Sequence, residues 1–446
     1  MVTEQLVENI LNTAYEDIPD RVKEHAKKSM LNWLGVTIGA IEHESIDILV
    51  SLADELESAS QNTILGRNQK VDLLSAVLIN GTASHIFDFD DTHLDTIHHP
   101  SGPVGPVVFA LGEKYDLSPK ELIRAFVLGC EVELRISNAV YPSHYRQGYH
   151  ITATAGVFGA AAAAGILLGF NEEKMAMALG LAGTQAFGLR ETFGTMTKPL
   201  HPGKAAQNGL LASLLVNRGF TSSTQILDAK RGFLNVYSQS SQKEKVNDSW
   251  GQVWEIEKNA FKPYACGIVL HPSIDACIQL SEFAAPDEVK EIRLKVHPYV
   301  LELTGKETPG TSLEGKFSIY HTAAIAFLEK DASENQYQEN KVNNNETVTF
   351  RKKIKPYVTE EMNKDKVEAT LTKHNGETIR VFIEHATGSL ENPMTEKMLV
   401  RKFRKVCQKK LSASQINQVV DQLLNLERID SINQTLHVIN EDNHVK

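Results

Sequence analysis

The stretch ITATAGVFGAAAAAGILLGF, Ile151–Phe170, decides how the chain is read. It runs some twenty residues without a charge, which is the length that spans a bilayer. Ala, Gly and Thr dominate it, however, and these contribute little to membrane insertion compared with Leu, Ile or Phe. Small residues instead let neighbouring helices approach closely. The stretch therefore predicts a buried central helix of a helical domain, not a membrane span.

Working outward, the pattern is helical from the N-terminus to about residue 255. Leu6, Ile10 and Leu11 recur at three-to-four spacing, as do Val22, His25, Ala26 and Met30. Ser118-Pro119-Lys120-Glu121 is a capping box with Pro in the first turn, and Asn171-Glu172-Glu173 sets acids against a helix's positive end. After Trp254 the texture changes. Val289–Val296 alternates with Ile292, Leu294 and Val296 on one face. Val367–Leu371 and Ile379–Ile383 alternate likewise, joined through Asn375-Gly376, a favoured hairpin turn. The polar, Asn-rich run from Asp331 to Asn345 reads as a mobile surface loop. Ser412-Ala413-Ser414-Gln415 opens another capped helix. The expected fold is mainly α: a large all-helical domain (1–256), an inserted smaller α+β lid domain (257–392), and C-terminal helices (393–446) returning to the first domain. Two domains closing on each other would create a cleft.

The 446 residues are 42% hydrophobic and 23% charged, ordinary for a globular chain long enough to bury its own core. Forty-six Lys and Arg against 56 Asp and Glu leave a net charge of -10, which argues against nucleic acid or an anionic membrane as partner. Positive charge that holds an anionic substrate must then be local. Cys130, Cys266, Cys277 and Cys407 form no Cys-x-x-Cys pair, so neither a disulfide framework nor a zinc ribbon is expected. The first twenty residues carry acids early and lack a signal-type apolar core. A cytoplasmic protein is the expectation.

The densest polar run is Asp88-Phe89-Asp90-Asp91-Thr92-His93-Leu94-Asp95-Thr96-Ile97-His98-His99-Pro100-Ser101-Gly102. Three chemistries compete for it. Asp with His suits a divalent ion, but no defined ligand spacing is present. Asp90-Asp91-x-x-x-Asp95 loosely resembles the magnesium-bridging motif of all-helical prenyl diphosphate enzymes, yet no second such motif follows. A metal-free acid–base site would use Asp and His near neutral pH. A surface loop capping a helix is the non-functional alternative. Arg146–His150, Arg190–Lys204 and Phe261–Cys266 add cations and imidazoles in Gly/Thr/Pro-punctuated segments. Together they suit a small polycarboxylate bound by charge-assisted hydrogen bonds.

The same segments resemble the MmgE/PrpD family, which includes 2-methylcitrate dehydratase, cis-aconitate decarboxylase and an iminodisuccinate epimerase. The resemblance runs through Asp-Phe-Asp-Asp-Thr at 88–92, His-Pro-Ser-Gly at 99–102, Gly-Tyr-His at 148–150 and Gly-Thr-Met-Thr-Lys-Pro-Leu-His at 194–201. It continues through Lys262-Pro263-Tyr264, Glu314–Ser318 and Asn392–Thr395. It implies a cofactor-free and metal-free lyase, in a homodimer, acting on a small tricarboxylate. Residue by residue, it implies catalytic roles for Asp88, Thr92, His99 and His150 and substrate binding by Lys198 and Lys262. One extra residue stands between Thr92 and the His-Pro-Ser-Gly element, so His98 competes with His99 and is carried as a substrate-binding residue. Where the decarboxylases have a Tyr, spacing from Ser318 gives His321, with Tyr320 beside it, and both are carried as substrate-binding residues. Asp90 and Gly102 stand closer to the decarboxylase pattern than to the dehydratase pattern. Decarboxylation of cis-aconitate to itaconate is thus favoured over dehydration or epimerisation of a related acid.

Overall fold

The computed structural model describes residues 1–441 and divides into two compact units. The first holds Met1–Ile86, Asp90–Asn259 and the chain from Glu396 onward; the second holds Phe87–Phe89 and Ala260–Thr395. The fold is mainly α, with one four-stranded sheet confined to the second unit. Contiguous sequence ranges could not anticipate that the three residues Phe87–Phe89 depart from the helical unit and return to it.

In the first unit, the helices Leu73–Ile86, Ser101–Tyr115, Gly156–Leu167 and Thr197–Asn217 meet around Val77, Val107, Leu111, Ala160, Ala164 and Leu210. The Ala-rich stretch is buried from Ile151 to Gly165, as its small residues predicted, with Ile166 and Leu167 half-buried, and divides into Ile151–Thr154 and Gly156–Leu167. No described helix is long and apolar enough to cross a membrane. Close approach rests on absent side chains: a Cβ on Gly81 would lie 2.6 Å from the Gly203 Cα. That contact sets Leu73–Ile86 against Thr197–Asn217, which brings His85, at one helix's end, toward Lys198 and His201 at the other's start. The Ser118–Glu121 and Ser412–Gln415 boxes both form, and Asn171 caps its helix through the Lys174 N–H. The C-terminal helix Glu396–Cys407 returns to lay Phe403 over Gly35 of Asp20–Ala40.

In the second unit the strand order is Ile354–Val358, Val289–Val296, Val367–Lys373, Thr378–Ile383; the first pair is parallel and the others antiparallel. Ile292, Leu294 and Val296 are buried on one face, as alternation predicted, and the hairpin pairs Thr372 with Thr378 around Gly376 at φ +90°. Helices His271–Leu280 and Ile319–Glu329 pack on the sheet. One expectation is corrected. Residues 331–345 are not an open loop, because Glu334–Tyr337 and Glu339–Val342 form helical turns that bury Tyr337 and Val342 completely. Two apolar anchors in a polar run are enough to hold it down.

Candidate active site

Residues 90–102 of the first unit are folded around their own polar groups. His93 N–H donates to the His98 carbonyl (2.7 Å) and Ile97 N–H to the His93 carbonyl (2.8 Å), closing a tight loop. Ile97 sits at φ +59°, a left-handed conformation that a β-branched residue rarely adopts. This turn absorbs the loop's length and sends the two adjacent imidazoles in different directions. His98 Nδ1 lies 2.9 Å from Ser137 Oγ, and His98 Nε2 is 3.4 Å from Glu133 Oε1. Because the Ser137 hydroxyl donates to the Glu133 carbonyl, it accepts from His98 Nδ1–H, leaving Nε2 bare. Burial, with Asp91 nearby, lifts the Glu133 carboxyl well above its ordinary range, so its proton faces that bare nitrogen. His98 and Glu133 are thus a neutral buried pair.

His99 turns the other way. Its Nδ1 faces the Asp91 carbonyl (3.0 Å), the Thr92 hydroxyl (3.2 Å) and Asp90 Oδ2 (3.3 Å). A carbonyl only accepts, so Nδ1 carries the proton and Nε2 is the working nitrogen. His85 Nδ1 approaches the same Asp90 Oδ2 at 2.6 Å, and the His85 and His99 rings meet edge-on with centroids 4.6 Å apart. His150 stacks on His85 (5.9 Å) and shares an Nδ1–Nδ1 hydrogen bond of 2.8 Å with His201. Gly188 makes room for this pair. Its carbonyl accepts from His150 N–H, its φ is +107°, and a Cβ there would lie 2.6 Å from Ala153 Cβ. Lys198, 7% exposed, lies over the Phe193 ring, which itself meets His150 edge-on.

The electrostatics follow from burial around one cation. Desolvation lowers His85 and His201 to about 4 and holds His150 well below its ordinary range, and Lys198 pushes all three the same way. These imidazoles are neutral at pH 7. Burial alone would raise Asp90, yet the His85 and His99 contacts hold it well below the carboxylate range, so it is ionised. Asp91 differs: desolvation lifts it to about 6, and its Oδ2 accepts from Ser101 (2.5 Å) and Asn259.

In the second unit, Asp88 takes the left-handed conformation (φ +50°), and the Lys262 ammonium donates to its carboxylate (2.9 Å) and carbonyl (3.0 Å). Lys316 donates to the Phe87 carbonyl (2.7 Å) and to Glu334 (2.5 Å). Two lysines, each 1% exposed, thereby pin the 87–89 segment.

The chain matches the MmgE/PrpD N-terminal domain over residues 4–245 and the MmgE/PrpD C-terminal domain over residues 264–426. The chain belongs to the MmgE/PrpD family. Among similar proteins of known activity are cis-aconitate decarboxylases from Aspergillus terreus (26% identical, 98% of this chain and 96% of that one) and Homo sapiens (27%, 96% and 92%). The mouse cis-aconitate decarboxylase is 26% identical over 96% of this chain and 91% of its own.

Within this MmgE/PrpD chain, the first unit brings together Thr92, His99, His150 and Lys198 of the residues singled out from sequence. His98 is not in that group; both its ring nitrogens face Ser137 and Glu133. Asp88 and Lys262 form their own ion pair in the second unit. His321 there is fully buried, with Nε2 on the Gln336 carbonyl (3.1 Å) and its ring on Tyr337, while Tyr320 is half-buried on the same helix. Sequence reasoning missed His85, Asp90 and His201 as site members, and Glu133 as the partner of His98. His85 and Asp90 are five residues apart across a helix end, a spacing that no helical or strand period marks. His85, Asp90 and His99 also offer ligand atoms within 4.8 Å of one another, a donor set that suits a divalent cation. Here two of them are closed to 2.6 Å, a hydrogen-bond distance, under the repulsion of Lys198. His93, Asp95 and Glu255 make a second such group, in which Lys258 already pairs with Glu255 (2.9 Å) and Asp95 (3.5 Å).

Proposed function

We propose that this protein is a lyase acting on a small polycarboxylate, and that it decarboxylates cis-aconitate to itaconate without a metal or organic cofactor. The observation that carries the reading is a buried group of neutral imidazoles beside the Lys198 ammonium. A polyanion brought there meets a fixed cation and N–H donors in a water-poor setting, where such interactions are strongest. Full-length similarity to cis-aconitate decarboxylases supports the same substrate class.

In the proposed reaction Lys198 pairs with a retained carboxylate. The bond to the departing carboxylate breaks, its electron pair moves into the allylic system, and CO₂ leaves. One proton then passes to carbon from His99 Nε2, with His150 the neighbouring alternative, so each turnover consumes one proton. Thr92 and the Asp91 carbonyl hold the His99 ring at Nδ1. Lys262, engaged by Asp88, maintains the 87–89 segment that leads into Asp90.

The test is incubation of purified protein with cis-aconitate, 2-methylcitrate and iminodisuccinate, before and after exhaustive chelation, with products read by proton NMR. The reading expects itaconate from cis-aconitate at an unchanged rate after chelation. Dehydration of 2-methylcitrate or epimerisation of iminodisuccinate as the only reaction would replace it. Loss of activity restored by zinc or magnesium would overturn its metal-free part.

A further inference from the structure

Two buried polar atoms of the histidine cluster have no hydrogen-bond partner among the described residues: His85 Nε2 and Asp90 Oδ1. Among the described residues, the only protein bond of the His85 ring nitrogens is the 2.6 Å contact to Asp90 Oδ2, five positions away on the same chain segment. This pair cross-links no distant elements, and it leaves an ionised carboxylate and an orphaned nitrogen inside the core. For stability alone, apolar residues of the same volume would serve as well. A buried pair that carries such costs calls for a chemical explanation. Asp90 Oδ2 supplies one, since it also faces His99 Nδ1 at 3.3 Å while the Asp91 carbonyl and Thr92 hydroxyl sit on the same nitrogen.

We propose that Asp90 is a positioning carboxylate for His99, and that His85 is the clamp that keeps it oriented. Asp90 keeps the Nδ1–H tautomer of His99, directs Nε2 outward, and supplies the negative charge that accompanies an imidazolium when His99 holds the proton. His85 donates its Nδ1–H to the same oxygen, so Asp90 is fixed and ionised before His99 gains a proton. Neither residue touches the reacting atoms; both act through His99. The low pKa of Asp90 and the neutrality of His85 fit this arrangement. In its catalytic part the inference rests on the lyase reading above.

The experiment compares Asp90→Asn, Asp90→Glu and His85→Gln, each alone and combined with His99→Gln, in full-length protein. Rates on cis-aconitate are measured alongside nitrogen-15 NMR of labelled histidine. Asp90→Asn should lower kcat about 100-fold with KM within about threefold, and Asp90→Glu should recover part of the loss. In the His99→Gln background Asp90→Asn should cost nothing further, because residues that act as one unit are not additive. The NMR arm should show a strongly downfield imidazole Nδ1–H resonance that Asp90→Asn removes while the remaining histidine signals stay put. Additive losses, or a downfield resonance that survives Asp90→Asn, would overturn the assignment. If the wild type turns over none of the three acids yet the resonance behaves as described, the tautomer assignment stands and the lyase reading fails. If turnover is present and the losses are additive, the lyase reading stands and the positioning role fails.

Discussion

The histidine cluster of the first unit and the 87–89 segment of the second handle buried charge in opposite ways. In the second, the Lys262 ammonium meets both the carboxylate and the carbonyl of Asp88, and Lys316 meets the Phe87 carbonyl and Glu334. These charges are answered by opposite charge and by hydrogen bonds, and what they hold in place is three residues of backbone. In the first, Asp90 is ionised with one oxygen unpartnered among the described residues, and the nearby His85 and His150 are kept neutral by burial and by Lys198. Here satisfied charge accompanies architecture, and under-satisfied charge accompanies the proposed chemistry. Under the proposed function, that contrast puts the proton transfer in the first unit and sets a structural role for Lys262 beside the substrate-binding role that the family resemblance implies.

The sharpest way to break the contrast is at His99. His99→Gln should drop turnover by about two to four decades, the usual contribution of general acid–base catalysis, with thermal stability nearly unchanged. Retained turnover would move the role to His150. Next in size is Lys262→Met, which leaves Asp88 buried without its counter-ion. A loss of about 3–5 kcal/mol in denaturant unfolding is expected, the usual result of removing one partner of a buried pair. Unchanged stability with weakened ligand binding would instead make Lys262 the clamp. Lys198→Met should do the converse: little change in unfolding, but polycarboxylate affinity lower by about one to two decades, corresponding to about 1.5–3 kcal/mol for a charged hydrogen bond.

The smallest effect concerns Glu133. Its carboxyl is raised in the folded state above its ordinary 4.5, so the folded protein binds the extra proton. Its contribution to stability is full below about 4.5 and declines as pH rises toward the folded value. Glu133→Gln keeps the shape and a donor for His98 without that dependence. The variant should therefore gain on the wild type between pH 5 and pH 8 in urea unfolding. Curves that stay parallel would mean that Glu133 is ionised and that His98 carries the proton.

Much of this arrangement is legible before any coordinates. Helix starts follow from local hydrogen bonding, so Ser118, Asn171 and Ser412 announce themselves, as does the Asn375-Gly376 hairpin. Local patterns fail where partners are distant or irregular. The parallel strand Ile354–Val358 pairs with residues some sixty positions earlier and has a mixed burial pattern. Tyr337 is one ring in a polar run, and its burial depends on Thr322 and His321 of another helix. At the site, the residue types in 88–102 are visible, but their division among His85, Asp91, Glu133 and Lys262 depends on Ile97 and Asp88 at positive φ. Neither position is a Gly, so nothing in the sequence marks the turn.

The most direct test of the account is turnover of cis-aconitate in deuterated water, with product and CO₂ quantified together for the wild type and His99→Gln. The account predicts itaconate with one carbon-bound deuterium and one CO₂ per molecule from the wild type, and almost none from the variant. Unchanged cis-aconitate, a product formed without CO₂, or a variant as active as the wild type would contradict it.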